Sequence, residues 1–120
     1  MTRILVVDDH ELVRRGICSI LATDPKLTVC AEAVDGRDAV QKARNERPDI
    51  VVMDISMPNM NGLDAARELR KLLPSAQLFL FSAFYTENLE EIARSAGIDA
   101  YIPKSDIETL LSRVSQFAAA

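Results

Sequence analysis

The run Ile50-Val51-Val52-Met53-Asp54-Ile55-Ser56-Met57-Pro58 decides how the rest of the chain is read. Its first four residues are apolar without alternation, and the fifth is a carboxylate. An unbroken apolar run rich in β-branched side chains is the pattern of a strand buried on both faces, as at the centre of a parallel sheet. Pro58 and Asn61-Gly62 are turn signals, so Asp54 is expected at the strand's C-terminal tip. In open α/β sheets ligands bind at that edge. The plainer alternative is an aspartate that only caps the next turn, and its neighbours must decide.

Toward the N-terminus, Ile4-Leu5-Val6-Val7 is a second apolar run, and it too ends in acids, Asp8-Asp9. The spacing of Val13, Ile17, Ile20 and Leu21 predicts a helix with that apolar face, stopped by Thr23-Asp24-Pro25. Leu27 to Ala33 alternates loosely, Val29, Ala31 and Ala33 against Thr28, Cys30 and Glu32, which suits a strand near a sheet edge. Asp35-Gly36 turns the chain, and Ala39, Val40 and Ala43 line a short helix ending before Pro48.

Toward the C-terminus, Ala66, Leu69 and Leu73 predict a third helix closed by Pro74-Ser75. Leu78-Phe79-Leu80-Phe81 is a fourth apolar run, ending at Ser82-Ala83. Thr86 is placed to cap a helix with Glu87 and Glu90 in its first turn, where the helix dipole favours acids. Its core face reads Leu89, Ile92, Ala93 and Ala96, with Gly97 as the stop. Ala100-Tyr101-Ile102 makes a fifth strand, which Pro103, lacking an N–H, assigns to a sheet edge. Ser105-Asp106-Ile107-Glu108 reads as a capping box opening a last helix with Ile107, Leu110, Leu111 and Val114 on one face. Low complexity is confined to the closing Ala118-Ala119-Ala120.

Five strand patterns thus alternate with five helix patterns, and no hairpin turn joins two strands. Right-handed crossovers then require an α/β fold with a doubly wound parallel sheet and helices on both sides, its strand order left open by periodicity. Residues 1–120 fit one domain. The formal charge of -4 argues against direct nucleic-acid binding, which needs a basic face. No apolar run approaches the ~18 residues of a membrane span, and Met1-Thr2-Arg3 leads straight into a strand pattern, so a cytoplasmic chain without a membrane partner is expected. The two cysteines, Cys18 and Cys30, lack metal-ligand spacing and read as reduced thiols.

Parallel strands put all their C-terminal tips at one end of the sheet. Asp8 and Asp9 follow the first strand, Asp54 the third, Ser82 the fourth and Lys104 the fifth, so topology alone gathers them on one rim. Carboxylates there repel one another by about 3 kcal/mol per pair at ~5 Å with an effective dielectric of about 20. A hard divalent cation relieves that repulsion, and Mg²⁺ suits a few carboxylates plus waters. Lys104 and Ser82 supply an ammonium and a hydroxyl suited to phosphoryl oxygens. Together these groups describe phosphoryl transfer, with Asp54 as the carboxylate nucleophile.

On these residues the chain resembles the receiver domain of two-component response regulators. The resemblance rests on Val7-Asp8-Asp9-His10, Met53-Asp54-Ile55-Ser56-Met57-Pro58, Asn61-Gly62, Ser82-Ala83 and Tyr101 to Lys104, and runs the length of the chain. It implies a flavodoxin-like strand order 2-1-3-4-5 and a phosphoryl group taken from a sensor histidine kinase. It also implies that Asp54 is the phosphoacceptor, that Asp9, Asp54 and the Ser56 backbone carbonyl ligate Mg²⁺, and that Asp8 holds the metal's water. Ser82 and Lys104 would bind the phosphoryl group, and Tyr101 would be an aromatic switch. Asp8 to Gly16 is similar to the NarL/LuxR-type subfamily, which implies a C-terminal helix-turn-helix domain that binds DNA; phosphorylation is expected to change association, either with another receiver in a dimer or with such a DNA-binding domain. Where many receivers place proline straight after the lysine, with a cis bond between them, this chain has Ser105 after Lys104 and its proline before.

Other residues read plainly. His10 sits beside two acids at a helix start, Arg14-Arg15 suits a solvated helix face, and Phe84 either shields the site or packs on it. A stand-alone phosphorelay intermediate is one alternative function. A Mg²⁺-dependent phosphohydrolase would want an acid two residues after its nucleophile, where this chain has Ser56. A flavin carrier needs a glycine- and hydroxyl-rich phosphate loop after the first strand, where Asp8-Asp9-His10-Glu11 would repel phosphate.

Overall fold

The structure, a computed structural model, describes residues 1–119. Ala120 lies outside the described residues, so the reading of the terminal alanine run applies to it only in part. Strands and helices alternate without exception: β1 (Thr2–Val7), α1 (Glu11–Leu21), β2 (Leu27–Ala33), α2 (Gly36–Glu46), β3 (Ile50–Met53), α3 (Gly62–Leu72), β4 (Gln77–Ser82), α4 (Glu87–Ser95), β5 (Ala100–Pro103) and α5 (Ile107–Ala119). The strands form one parallel sheet in the order β2-β1-β3-β4-β5. This is the flavodoxin-like order that the resemblance implied. The apolar run Ile50–Met53 is the central strand and is buried along its whole length.

Alternation along the strands feeds two separate cores. Leu5, Val7, Val51, Met53, Leu78 and Leu80 pack toward α2, α3 and α4, against a layer rich in alanine (Ala39, Ala43, Ala65, Ala66, Ala93). Ile4, Val6, Ile50, Val52, Phe79 and Phe81 pack toward α1 and α5, against Ile17, Leu21, Leu110 and Val114. The small residues on the first side let α2 and α3 lie close to the sheet and to each other. Gly97, at φ +99°, turns the chain out of α4 into β5. Thr86 caps α4 by accepting the Leu89 N–H.

Four local readings are corrected. In β2 the pairing with β1 skips Cys30, Ile4 facing Val29 and Leu5 facing Ala31. The bulge reverses the strand's faces: Leu27 and Val29 belong to the α1/α5 core, whereas Ala31 and Ala33 belong to the other. Glu32 therefore lies on the α1 side. In α1 the buried stripe is Arg14, Ile17 and Leu21, and Ile20 is exposed, because the stripe is centred about one position away from the expected face. Ile92 likewise flanks the α4 stripe and is exposed. The cap of α5 is Asp106 rather than Ser105: its carboxylate accepts the Thr109 N–H and hydroxyl, and its carbonyl accepts the Leu110 N–H. No peptide bond is cis among the described residues, so the Lys104–Ser105 bond is trans.

Candidate functional site

The site forms where β1, β3, β4 and β5 end together. β1 ends at Val7, whose carbonyl accepts the Asp54 N–H across the sheet at 3.0 Å, so the two acid-bearing tips are in register. α3 begins close above the β3 tip. A Cβ on Gly62 would stand 2.4 Å from the Asp54 carbonyl oxygen, so only glycine allows the helix to start there. The Gly62 N–H donates to the Ile55 carbonyl, and Asn61 caps α3 through the Asp64 N–H. The loop after Asp54 is thereby tied down at its far end.

Asp8, Asp9 and Asp54 each bring a carboxylate oxygen to within 4.8 Å of the others. Asp8 is 1% exposed and Asp54 9%, while Asp9 is open to solvent. Lys104 completes the group: its ammonium lies 2.8 Å from Asp8 Oδ2 and 3.3 Å from Asp54 Oδ2. The other Asp8 oxygen accepts the His10 N–H, and the other Asp54 oxygen accepts its neighbour's Ile55 N–H. The Lys104 N–H donates to the Ser82 carbonyl at 2.7 Å, which fixes the root of the lysine over the end of β4. Ser82 is fully buried, and its hydroxyl oxygen accepts the Phe84 N–H at 3.2 Å.

Burial pushes the Asp54 carboxyl above its ordinary range; Lys104 pulls it back and Asp8 pushes it up again. Burial would lower Lys104, but the bond to Asp8 and the charges of Asp54 and Asp8 outweigh it and hold the ammonium above its usual value. One cation is thus shared by two carboxylates, with a third at the mouth. This donor set, hard oxygens partly open to water, fits Mg²⁺. Asp9, Ser56, Met57 and Asn61 border one open cleft beside it, which brings Ser56 to the same opening as Asp9.

Tyr101 is 9% exposed and already turned inward. Its hydroxyl donates to the Phe84 carbonyl, and the Tyr85 ring meets it edge-on with centroids 5.1 Å apart. Phe84 is 63% exposed, so its side chain is not a packing residue. His10 is exposed at the N-cap of α1 and gives no side-chain cap. Arg14 departs most from expectation: it is 9% exposed, not solvated, and donates to Glu32 at 2.9 Å and to the Asp8 carbonyl at 3.0 Å. Its spacing from Ile17 and Leu21 was the available signal, since i, i+3 and i+7 share one helix face. Arg15 is exposed.

The response regulator receiver domain model matches residues 4–115. The chain is 37% identical over 103 residues to the response regulator protein VraR of Staphylococcus saprophyticus, covering 86% of this chain and 49% of that protein. It therefore spans about half the length of the curated relatives it matches. A LuxR-family two-component response regulator from Aurantimonas sp. superposes with a TM-score of 0.92 at 34% identity, covering 99% of this chain and 86% of that one. The response regulator domain of Thermotoga maritima CheB gives 0.91 at 29% identity, covering 100% and 98%.

Proposed function

The chain belongs to the response regulator receiver domain family, of the NarL/LuxR type, and from that premise we propose that it is a phosphorylation-controlled switch with Asp54 as phosphoacceptor. The observation that carries the proposal is the meeting of Asp8, Asp9 and Asp54 within 4.8 Å beneath a lysine bonded to two of them. The phosphoryl donor is a sensor histidine kinase. The output is transcription, through a DNA-binding helix-turn-helix domain that follows residues 1–120 in a longer cytoplasmic regulator, with pairing of receivers as the intermediate event.

In the reaction an Asp54 oxygen forms a bond to the donor's phosphorus while the bond from phosphorus to the leaving group breaks, and the leaving group keeps that electron pair. Bound Mg²⁺ would neutralise charge on the transferring phosphoryl oxygens. Asp9, Asp54 and the Ser56 backbone carbonyl would hold it, with Asp8 binding its water. Lys104 is already beside Asp54 and would pair with a phosphoryl oxygen, and the Ser82 hydroxyl would donate to another. The position two residues beyond Asp54 is Ser56, exposed and not acidic, which supports a phosphoacceptor over a phosphohydrolase.

Incubation with Mg²⁺ and acetyl phosphate tests this by intact mass. One added phosphoryl group is expected on the wild-type chain and none on Asp54→Asn. Undiminished labelling of that variant would move the nucleophile to Asp8, Asp9 or His10 and overturn the proposal.

A further inference from the structure

We propose that Arg14 is a positioning residue for the acidic rim, fixing the Asp8–Asp9 peptide so that Asp9 can serve the metal; the inference rests on the Mg²⁺ reading above. Every polar atom of Asp8 has a partner. Its N–H donates to the Ala33 carbonyl, its two carboxylate oxygens take the His10 N–H and the Lys104 ammonium, and its carbonyl takes Arg14 Nη1 at 3.0 Å. That carbonyl is half of the peptide unit from which Asp9 departs. Asp9 is exposed, and the Arg14 bond restrains the peptide just before its side chain.

The arginine is itself held. Its Nε donates to Glu32 Oε1 at 2.9 Å, and Lys42 donates to the Glu32 backbone carbonyl at 2.8 Å. Glu32 faces α1 only because of the bulge at Cys30, since strict alternation from Leu27 and Val29 would have turned it to the other side. The edge strand, tied to α2 through Lys42, thus holds the guanidinium of α1, which holds one carbonyl. A planar fork can serve both acceptors at once, which a lysine ammonium on a flexible stem cannot do in the same geometry. Partners one step behind a metal ligand typically change metal affinity 10- to 100-fold when lost.

The experiment measures Mg²⁺ affinity by calorimetry, with Mg²⁺ alone as probe, and amide exchange of Asp9 and His10 in chelator. Arg14→Lys should weaken Mg²⁺ binding roughly ten-fold and speed exchange at both amides. Glu32→Ala should weaken binding as well, and Glu32→Gln, which restores an acceptor for Nε, should recover it. Arg70→Lys, at the opposite end of the sheet, controls for general destabilisation and should lower the melting temperature with affinity unchanged. Wild-type affinity in Arg14→Lys, or a loss of affinity that merely follows melting temperature as in Arg70→Lys, would overturn the proposal. A wild-type chain that binds no Mg²⁺ would instead remove the metal reading. The exchange data would then decide alone: unchanged Asp9 and His10 exchange in Arg14→Lys refutes positioning, and accelerated exchange supports it.

Discussion

Lys104 Nζ lies 2.8 Å from a carboxylate oxygen of Asp8, a residue 96 positions away and 1% exposed. The same ammonium serves Asp54, so it is the counter-charge for two buried acids. Removing one partner of a buried pair costs about 3 kcal/mol or more, because the remaining charge is left uncompensated. Lys104→Ala should therefore melt well below wild type in chelator. Mg²⁺ can supply the missing positive charge, so the variant should gain more thermal stability from it than wild type does. Equal gains in the two proteins would mean that Lys104 and the metal do not share these carboxylates.

The Asp54 carboxyl is held above its ordinary range by burial, with Lys104 opposing and Asp8 reinforcing. An acid that is harder to ionise folded than unfolded contributes stability below its unfolded value near 3.8, and that contribution is lost as pH rises through the folded value. At neutral pH, without metal, ionised Asp54 is consequently a destabilising charge. Asp54→Asn should melt higher than wild type at pH 7 in chelator, and the advantage should shrink as pH falls toward 4. An advantage independent of pH would show that the gain comes from something other than the charge.

Arg70 binds the far end of the sheet. It donates to the carbonyls of Leu73, Ala76 and Gly97 and to Asp99, whose carboxylate in turn accepts the Leu78 N–H. Hydrogen bonds to charged groups contribute about 1.5–3 kcal/mol each, and several act here together. Arg70→Ala should lose at least about 2 kcal/mol in urea unfolding, with Asp54 labelling intact in the folded fraction. Stability within error of wild type would refute this account of the loops before β4 and β5.

The switch is expected to work from an aromatic ring that is already buried. Tyr101, the residue the resemblance implies as an aromatic switch, has its ring inside the fold and its hydroxyl bonded to the Phe84 carbonyl. The Phe84 N–H is bonded to the Ser82 hydroxyl, so one peptide segment links serine and tyrosine. Drawing Ser82 toward a phosphoryl group would disturb that segment and then α4. Beryllofluoride with Mg²⁺ should change amide exchange from Phe84 through α4, and Tyr101→Phe should reduce the response beyond Tyr85. Changes confined to the loop after Asp54 would refute this route.

Much of this was legible in the chain because a doubly wound sheet converts order in sequence into place in space. Once Ile4–Val7, Ile50–Met53 and Leu78–Phe81 read as parallel strands, Asp8, Asp54 and Ser82 had to share a rim. What escaped was set by shifts of a single residue. The bulge at Cys30 leaves no mark in hydrophobicity, because Val29, Ala31 and Ala33 are apolar on either face. Arg14 escaped because charge outweighed its position, although Ile17 and Leu21 placed it on the buried stripe. The α5 cap escaped because Ser105 and Asp106 are both good capping residues, and only the observed bonds choose between them.

The two outer strands share a property with a consequence for assembly. β2 and β5 are the sheet's free margins, where unpaired backbone groups could template another chain. β2 carries a bulge in mid-strand, and β5 is only four residues long and ends at Pro103. Both margins are poor templates for continuing the ladder into a second molecule. Association between copies of this chain is then favoured through helices and loops, whose contacts can be made and undone as a signal comes and goes. A strand-to-strand seam would be harder to reverse, and both margins of the sheet disfavour it.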